Sequence, residues 1–147
     1  MDPRGSLRTV TSRWFLDTNV LVYLFDVHEP AKRSIAQNLI GSQDPARFAV
    51  SAQVLGEFYV TVTRKLRHPL NAPTARTAVS QLAQLPVIAT DLPLVRAAME
   101  TAEKARLSYW DALIVEAAAS SGCDRLLTED MNAGETIRGV QIVNPFA

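Results

Sequence analysis

The sequence predicts an α/β domain built in three layers, a central, mainly parallel sheet of short strands with helices on both faces. Three observations predict it. Short runs of strand character, such as Trp14-Phe15-Leu16, Phe48-Ala49-Val50 and Val140 to Val143, are too brief for helices. The longer segments between them carry apolar residues at helical spacing. Strands that alternate with helices in this way imply a parallel sheet covered on both sides.

Taken in order, Trp14-Phe15-Leu16 reads as a buried strand, and Thr18-Asn19 opens an apolar helix from Val20 to Phe25. A second helix is expected from Ala31 to Ile40, with Pro30 suited to the first helical position. Gly41-Ser42-Gln43-Asp44-Pro45 is a turn. Phe48-Ala49-Val50 is the second strand. Ser51 caps the next helix, which runs to about Arg67 with Val54, Leu55, Phe58, Val62 and Leu66 on one face. His68-Pro69 ends it. Thr74 to Leu85 is a helix, followed by the extended Pro86-Val87-Ile88. Asp91 caps a helix whose stripe is Leu94, Val95, Ala98, Met99 and Ala102. Ser108 caps another, Tyr109 to Ser121, and Gly122 suits its C-terminal end. Arg125 to Thr128 and Val140 to Val143 are the last strands.

The chain has 147 residues, a size for one domain with a substantial core. Residues 1–12 are polar and without a signal-peptide apolar region, and are expected to be disordered or a vector-derived extension. That leaves 13–147 as the folded domain. Fifteen basic residues balance fifteen acidic ones, so any surface for a polyanion must be a local patch. Cys123 is the only cysteine, which excludes a disulfide framework and a zinc-finger pattern and suits a reduced, cytoplasmic compartment. Apolar stretches stop well short of the ~20 residues of a membrane span, so no membrane association is expected.

Four acids stand where apolar runs end or helices begin: Asp17, Glu57, Asp111 and Asp130. In sheets of this kind, sites form at the carboxyl ends of the strands. Asp17 and Asp130 follow strands, whereas Glu57 and Asp111 lie in the first two turns of helices that should start at the same edge. Clustered carboxylates at the border of a core repel each other, and a divalent cation is the simplest compensation. The pattern therefore points to metal-dependent chemistry, and more narrowly to a nuclease. Each acid also has a plainer reading. Asp17 can be a helix cap, Glu57 a solvated helix residue sharing a polar face with Thr61 and Arg64, and Asp111 the end of a Ser108-Tyr109-Trp110-Asp111 capping box. Asp130 can simply open a loop, with Glu129 as the participant instead.

The segments Phe15-Leu16-Asp17-Thr18-Asn19, Glu57, Tyr109-Trp110-Asp111-Ala112-Leu113-Ile114 and Leu127-Thr128-Glu129-Asp130 resemble the motifs of PIN-domain ribonucleases, and more closely those of the VapC toxins of toxin–antitoxin pairs. The ending from Gly139 to Phe146 is similar to that group too, and the likeness runs from about Trp14 to the C-terminus. Arg106 departs from the pattern, near a position where the family often has glycine. The resemblance implies a PIN-like fold and Mg²⁺- or Mn²⁺-dependent hydrolysis of RNA. It implies Asp17 and Asp111 as central metal ligands and catalytic residues, Asp130 as a further ligand, and Glu57 as holder of a second metal or of the attacking water. Asn19 and Thr128 are expected to orient these carboxylates. A VapB-like antitoxin and a homodimer are the implied partners.

Arg64-Lys65-Leu66-Arg67-His68 is the densest basic cluster, so Arg64, Lys65 and Arg67 are candidate RNA contacts, although cations also suit a helix C-terminus. Val20 to Phe25 is apolar nearly all round, which reads as core, with part of it available to an antitoxin or a second copy. His28, His68 and Cys123 lie in settings that do not build a nucleophilic site, and no glycine-rich phosphate loop is present. Two other readings compete, a structure-selective DNA nuclease or phosphatase on a similar sheet and a non-catalytic PIN-like binding module. The small size argues against the first, and the retained acids argue against the second.

Overall fold

The computed structural model describes residues 12–147. The expectation for residues 1–11 lies outside the described residues. Ser12 itself is tied to the fold, donating to Asp124 Oδ1 at 2.6 Å and accepting from Trp14 Nε1 at 2.8 Å.

The chain runs β1 (Trp14–Leu16), α1 (Thr18–Tyr23), α2 (Pro30–Gly41), a 3₁₀ turn (Pro45–Arg47), β2 (Phe48–Ser51), α3 (Ala52–Arg64) and α4 (Ala72–Leu82). It continues through β3 (Val87–Ile88), α5 (Leu92–Ala105), α6 (Tyr109–Ser120), β4 (Arg125–Leu127), β5 (Thr136–Ile137) and β6 (Val140–Val143). The strands form one sheet in the order β3-β2-β1-β4-β6-β5. Every neighbouring pair is parallel except β5 with β6. This is the expected α/β arrangement with a mainly parallel sheet, and its three layers follow from handedness. Right-handed crossovers carry the chain one way from β1 to β2 to β3, placing α1 to α4 on one face. The return from β3 across to β4 runs the other way and places α5 and α6 on the opposite face.

Caps set most helix starts. The side chains of Asp17, Ser51, Asn71, Asp91 and Ser108 each accept a backbone N–H of the following helix. Their burial is one-sided: Val54, Leu55, Phe58 and Val62 are the buried face of α3. Helix α6 is the exception, buried continuously from Ala112 to Ala118 between the sheet and α5. That run includes Glu116, whose carboxylate accepts from Thr101 at 2.7 Å and from Arg138 at 3.0 Å. Phe15, Leu16, Phe48, Phe58, Leu126 and Ile142 fill one contiguous core. Val20, Leu21 and Val22 of α1 belong to it, Leu24 and Phe25 pack half-buried at its edge, and the half-buried Tyr23 packs on Phe146. No helix among the described residues is long and apolar enough to cross a membrane.

Several details differ from the sequence reading, among them the end of α1, which stops at Tyr23 instead of Phe25. Helix α3 stops at Arg64 instead of Arg67, because Thr61 O takes both Lys65 N and Leu66 N and the chain turns until Leu70 N reaches Val62 O. Helix α4 starts two residues before Thr74, since Pro73 is tolerated in a first turn capped by Asn71, and it ends at Leu82 instead of Leu85, where Gln84 N and Leu85 N close tighter turns on Gln81 O and Leu82 O. Met99, placed in the buried stripe of α5, is 52% exposed. Strand β5 is additional; its two residues pair with β6 across Arg138-Gly139, both at positive φ (54° and 77°), as a two-residue hairpin turn requires.

Candidate active site

The reversal of chain direction falls between β1 and β4, which are neighbours in the sheet. Both strands point their carboxyl ends to the same edge, the position where open α/β sheets bind ligands. Asp17 follows β1 directly, and Thr128-Glu129-Asp130 follows β4. The backbone joins them, with Asp17 N donating to Leu127 O at 3.1 Å.

Asp17 is the centre of the arrangement. It is only 6% exposed. Its Oδ1 accepts from Thr18 N at 2.7 Å, which makes it the cap of α1, and its Oδ2 accepts from Thr128 Oγ1 at 2.7 Å. Burial pushes the carboxyl up to about 6. The Thr128 and Thr18 hydrogen bonds pull it down, and the charges of Asp130 and Glu57 push it up again. Asp17 is thus the cap of α1, and the same side chain faces two other acids.

The first turn of α1 collects two of the other acids, Glu57 and Asp130. Thr18 Oγ1 donates to Glu57 Oε1 at 2.9 Å, bringing α3 to the cluster. Asn19 Nδ2 donates to Asp130 Oδ2 at 2.9 Å and reaches Thr128 Oγ1 at 3.3 Å. Asn19 Oδ1 accepts from Glu129 N at 3.3 Å, so one amide clamps the whole loop after β4. Glu129 is engaged elsewhere. It accepts from Tyr23 Oη and pairs with Lys32 Nζ at 2.7 Å. Burial alone would raise its carboxyl, but the Lys32 and Tyr23 hydrogen bonds hold it below the usual glutamate value. Asp130, not Glu129, faces Asp17.

Asp17, Glu57 and Asp130 are thus brought together, and Asp111 is not joined to them by any contact among the described residues. It sits in the first turn of α6, where its N–H donates to Ser108 Oγ at 3.0 Å. The reciprocal bond of a capping box, from the Asp111 carboxylate to the Ser108 N–H, is absent among the described residues. Its neighbour Trp110 lines a groove shared with Thr18 and Glu57. His28 and His68 stack on each other, rings 4.4 Å apart and 6° from parallel, and take no part in the acid cluster. Of the basic candidates, Lys65 lines the same groove, while Arg64 and Arg67 are exposed and do not line it.

Among the described residues no three His, Cys, Asp or Glu side chains converge as a ready metal cage. Mg²⁺ does not need one, since it takes one or two carboxylates and fills the rest with water and substrate oxygens. The donor set is right in kind, all carboxylate oxygen. Asp17 is buried among neutral donors and two like charges, an imbalance that a cation removes. By that test the residues fit a hard divalent cation.

Sequence reading passed over three participants. Thr18 and Gln53 act through hydrogen bonds to Glu57, and nothing in their local pattern marks them. Trp110 was read only as part of a motif.

A family model described as the PIN domain matches residues 14–136. No curated relative matches the chain in sequence. Among solved structures, the chain is similar to a toxin–antitoxin complex from Klebsiella pneumoniae, at 22% identity and a TM-score of 0.67, over 91% of this chain and 98% of that one. It is also similar to VapC20 of Mycobacterium tuberculosis, described as a sarcin–ricin-loop-cleaving toxin. That match has 22% identity and a TM-score of 0.61, over 77% of this chain and 86% of that one. A third similarity is to a DNA-bound VapBC complex from Salmonella typhimurium, at 24% identity and a TM-score of 0.58, over 90% and 97%.

Proposed function

The chain belongs to the PIN domain family, and on that premise we propose that it is a Mg²⁺- or Mn²⁺-dependent endoribonuclease, the toxin of a pair with a VapB-like antitoxin, working as a homodimer. The observation that carries this reading is Asp17, a buried carboxylate facing the like charges of Asp130 and Glu57 at the sheet's switch point. The similar solved proteins support the reading by what they are, an RNA-cleaving toxin and toxin–antitoxin complexes.

Phosphodiesters resist attack because they are anionic. When bound, the divalent cation supplies positive charge that neutralises the phosphate and makes water acidic enough to act as a nucleophile at neutral pH. Asp17, Asp111 and Asp130 would hold it, with Asp17 deprotonated. Glu57, held at Oε1 by Thr18 and at Oε2 only by a long 3.4 Å bond from Gln53, is exposed and would take the proton of the attacking water at Oε2. Thr128 and Asn19 keep Asp17 and Asp130 in their rotamers, so little reorganisation is needed when substrate arrives. Hydroxide then bonds to phosphorus, the P–O bond to the leaving ribose oxygen breaks, and that oxygen takes a proton from solvent.

The test is incubation of the purified protein with a cellular RNA pool in Mg²⁺, in Mn²⁺ and in EDTA, beside Asp17→Asn. Discrete fragments that need the metal and vanish in the variant are expected. A folded, antitoxin-free wild type that leaves RNA intact would sink the proposal.

A further inference from the structure

Trp110 is 62% exposed, the most exposed large hydrophobic side chain among the described residues. It precedes Asp111 in the first turn of α6. Tyr109 packs against it at 4.9 Å and 75°, restraining the ring without covering it. The indole borders an open groove of about 630 Å³ that it shares with Gln53, Gly56, Glu57, Val60 and Lys65. Thr18 and Thr61 line this groove and also the adjoining one that holds Asp130, so the Trp110 surface runs into the acid cluster.

Three features give this groove the chemistry of a nucleotide site. The aromatic ring and the half-exposed Val60 are an apolar platform. Gln53 Oε1 is the only buried side-chain oxygen or nitrogen without a partner among the described residues. Gln53 Nε2 donates to Glu57 Oε2 at 3.4 Å, and a carboxylate only accepts, so Oε1 is an unspent acceptor. Giving up the long Nε2 bond would let the side chain turn this acceptor to a ligand N–H. Gly56 lies mid-helix with nothing within 4 Å of where a Cβ would stand. Glycine there weakens α3 and has no packing reason among the described residues, but it leaves the backbone open to close approach. Lys65 adds a cation at the groove for a phosphate.

We propose that Trp110 is the stacking platform for an unpaired nucleobase beside the scissile phosphate, with Gln53 accepting a hydrogen bond from the base edge. The assignment rests on the nuclease reading above. It makes the substrate single-stranded at the cut, since a base inside a duplex cannot lie on an indole.

The test is equilibrium binding in EDTA of a fluorescein-labelled single-stranded RNA 12-mer of mixed sequence, and of an abasic ribose-phosphate oligomer of the same length. Wild type, Trp110→Phe and Trp110→Ala are compared, with cleavage in Mg²⁺ measured in parallel. Trp110→Ala is expected to bind RNA about tenfold more weakly and Trp110→Phe within about threefold of wild type. The abasic oligomer should bind equally to all three. Trp110→Ala that binds and cleaves RNA like wild type would overturn the stacking role and leave the nuclease reading intact. Wild type that neither binds nor cleaves would overturn both. Unchanged RNA binding together with a change of oligomeric state in Trp110→Ala would instead make this face a contact between copies, and also overturns the proposal.

Discussion

Thr128 donates to Asp17 across the junction of β1 and β4, Oγ1 to Oδ2 at 2.7 Å, with both side chains out of solvent. This bond holds the central acid ionisable in a place where burial alone would keep it protonated. Its removal isolates the contribution of orientation from that of charge.

Thr128→Val keeps shape and loses the donor. The buried carboxylate then lacks a partner, and stability should fall by about 1.5–3 kcal/mol, as for hydrogen bonds to charged groups. Apparent Mg²⁺ affinity in cleavage assays should fall by about 10- to 100-fold. Urea denaturation and metal titrations of activity check the two effects. Unchanged metal dependence would show that Thr128 serves only the fold.

The pH profile of the metal-free protein carries the signature of Asp17. Its folded value, about 6, lies above the ordinary 3.8. The neutral carboxyl is therefore favoured in the folded state. Its contribution to stability is full below about pH 3.8 and is lost as pH rises through about 6, a change of about 3 kcal/mol at most. Asp17→Asn should flatten this segment and make the metal-free protein more stable than wild type at pH 7. Chemical denaturation between pH 4 and 7 in EDTA is the measurement.

Metal should act with the opposite sign. Binding requires an ionised Asp17, so added Mn²⁺ should raise the wild-type melting temperature more at pH 7 than at pH 5. It should leave Asp17→Asn almost unmoved. A shift equal at both pH values would place the bound ion elsewhere.

Arg106 ends α5 in the left-handed conformation, φ 56° and ψ 47°, with its N–H on Ala102 O. Side chains with a Cβ strain there by about 1–2 kcal/mol, and glycine does not. Arg106→Gly should raise stability by about 1 kcal/mol without affecting cleavage, read by thermal melting and initial rates.

Much of this could be read from residue order. The five parallel strands and the caps Ser51, Asp91 and Ser108 are local signals, a few apolar residues followed by an oxygen-bearing side chain. Strand β5 could not be read, because Thr136-Ile137 has no pattern of its own and exists through the turn at Arg138-Gly139. At the site, the acids announce themselves where strands end. Their grouping depends on β4 lying beside β1, a fact of sheet order that no local pattern contains. The choice of Asp130 over Glu129 turned on Lys32 and Tyr23, which lie about a hundred residues away in the chain. The groove of Trp110 needed both α3 and α6 in place.

The most direct test of the central claim is Mn²⁺ binding followed by electron paramagnetic resonance, in wild type and in Asp17→Asn at pH 7. The acid cluster is expected to take up Mn²⁺ in wild type and to lose it in Asp17→Asn while the variant stays folded. Equal binding in the two proteins, or none in folded wild type, would contradict a metal site built on Asp17.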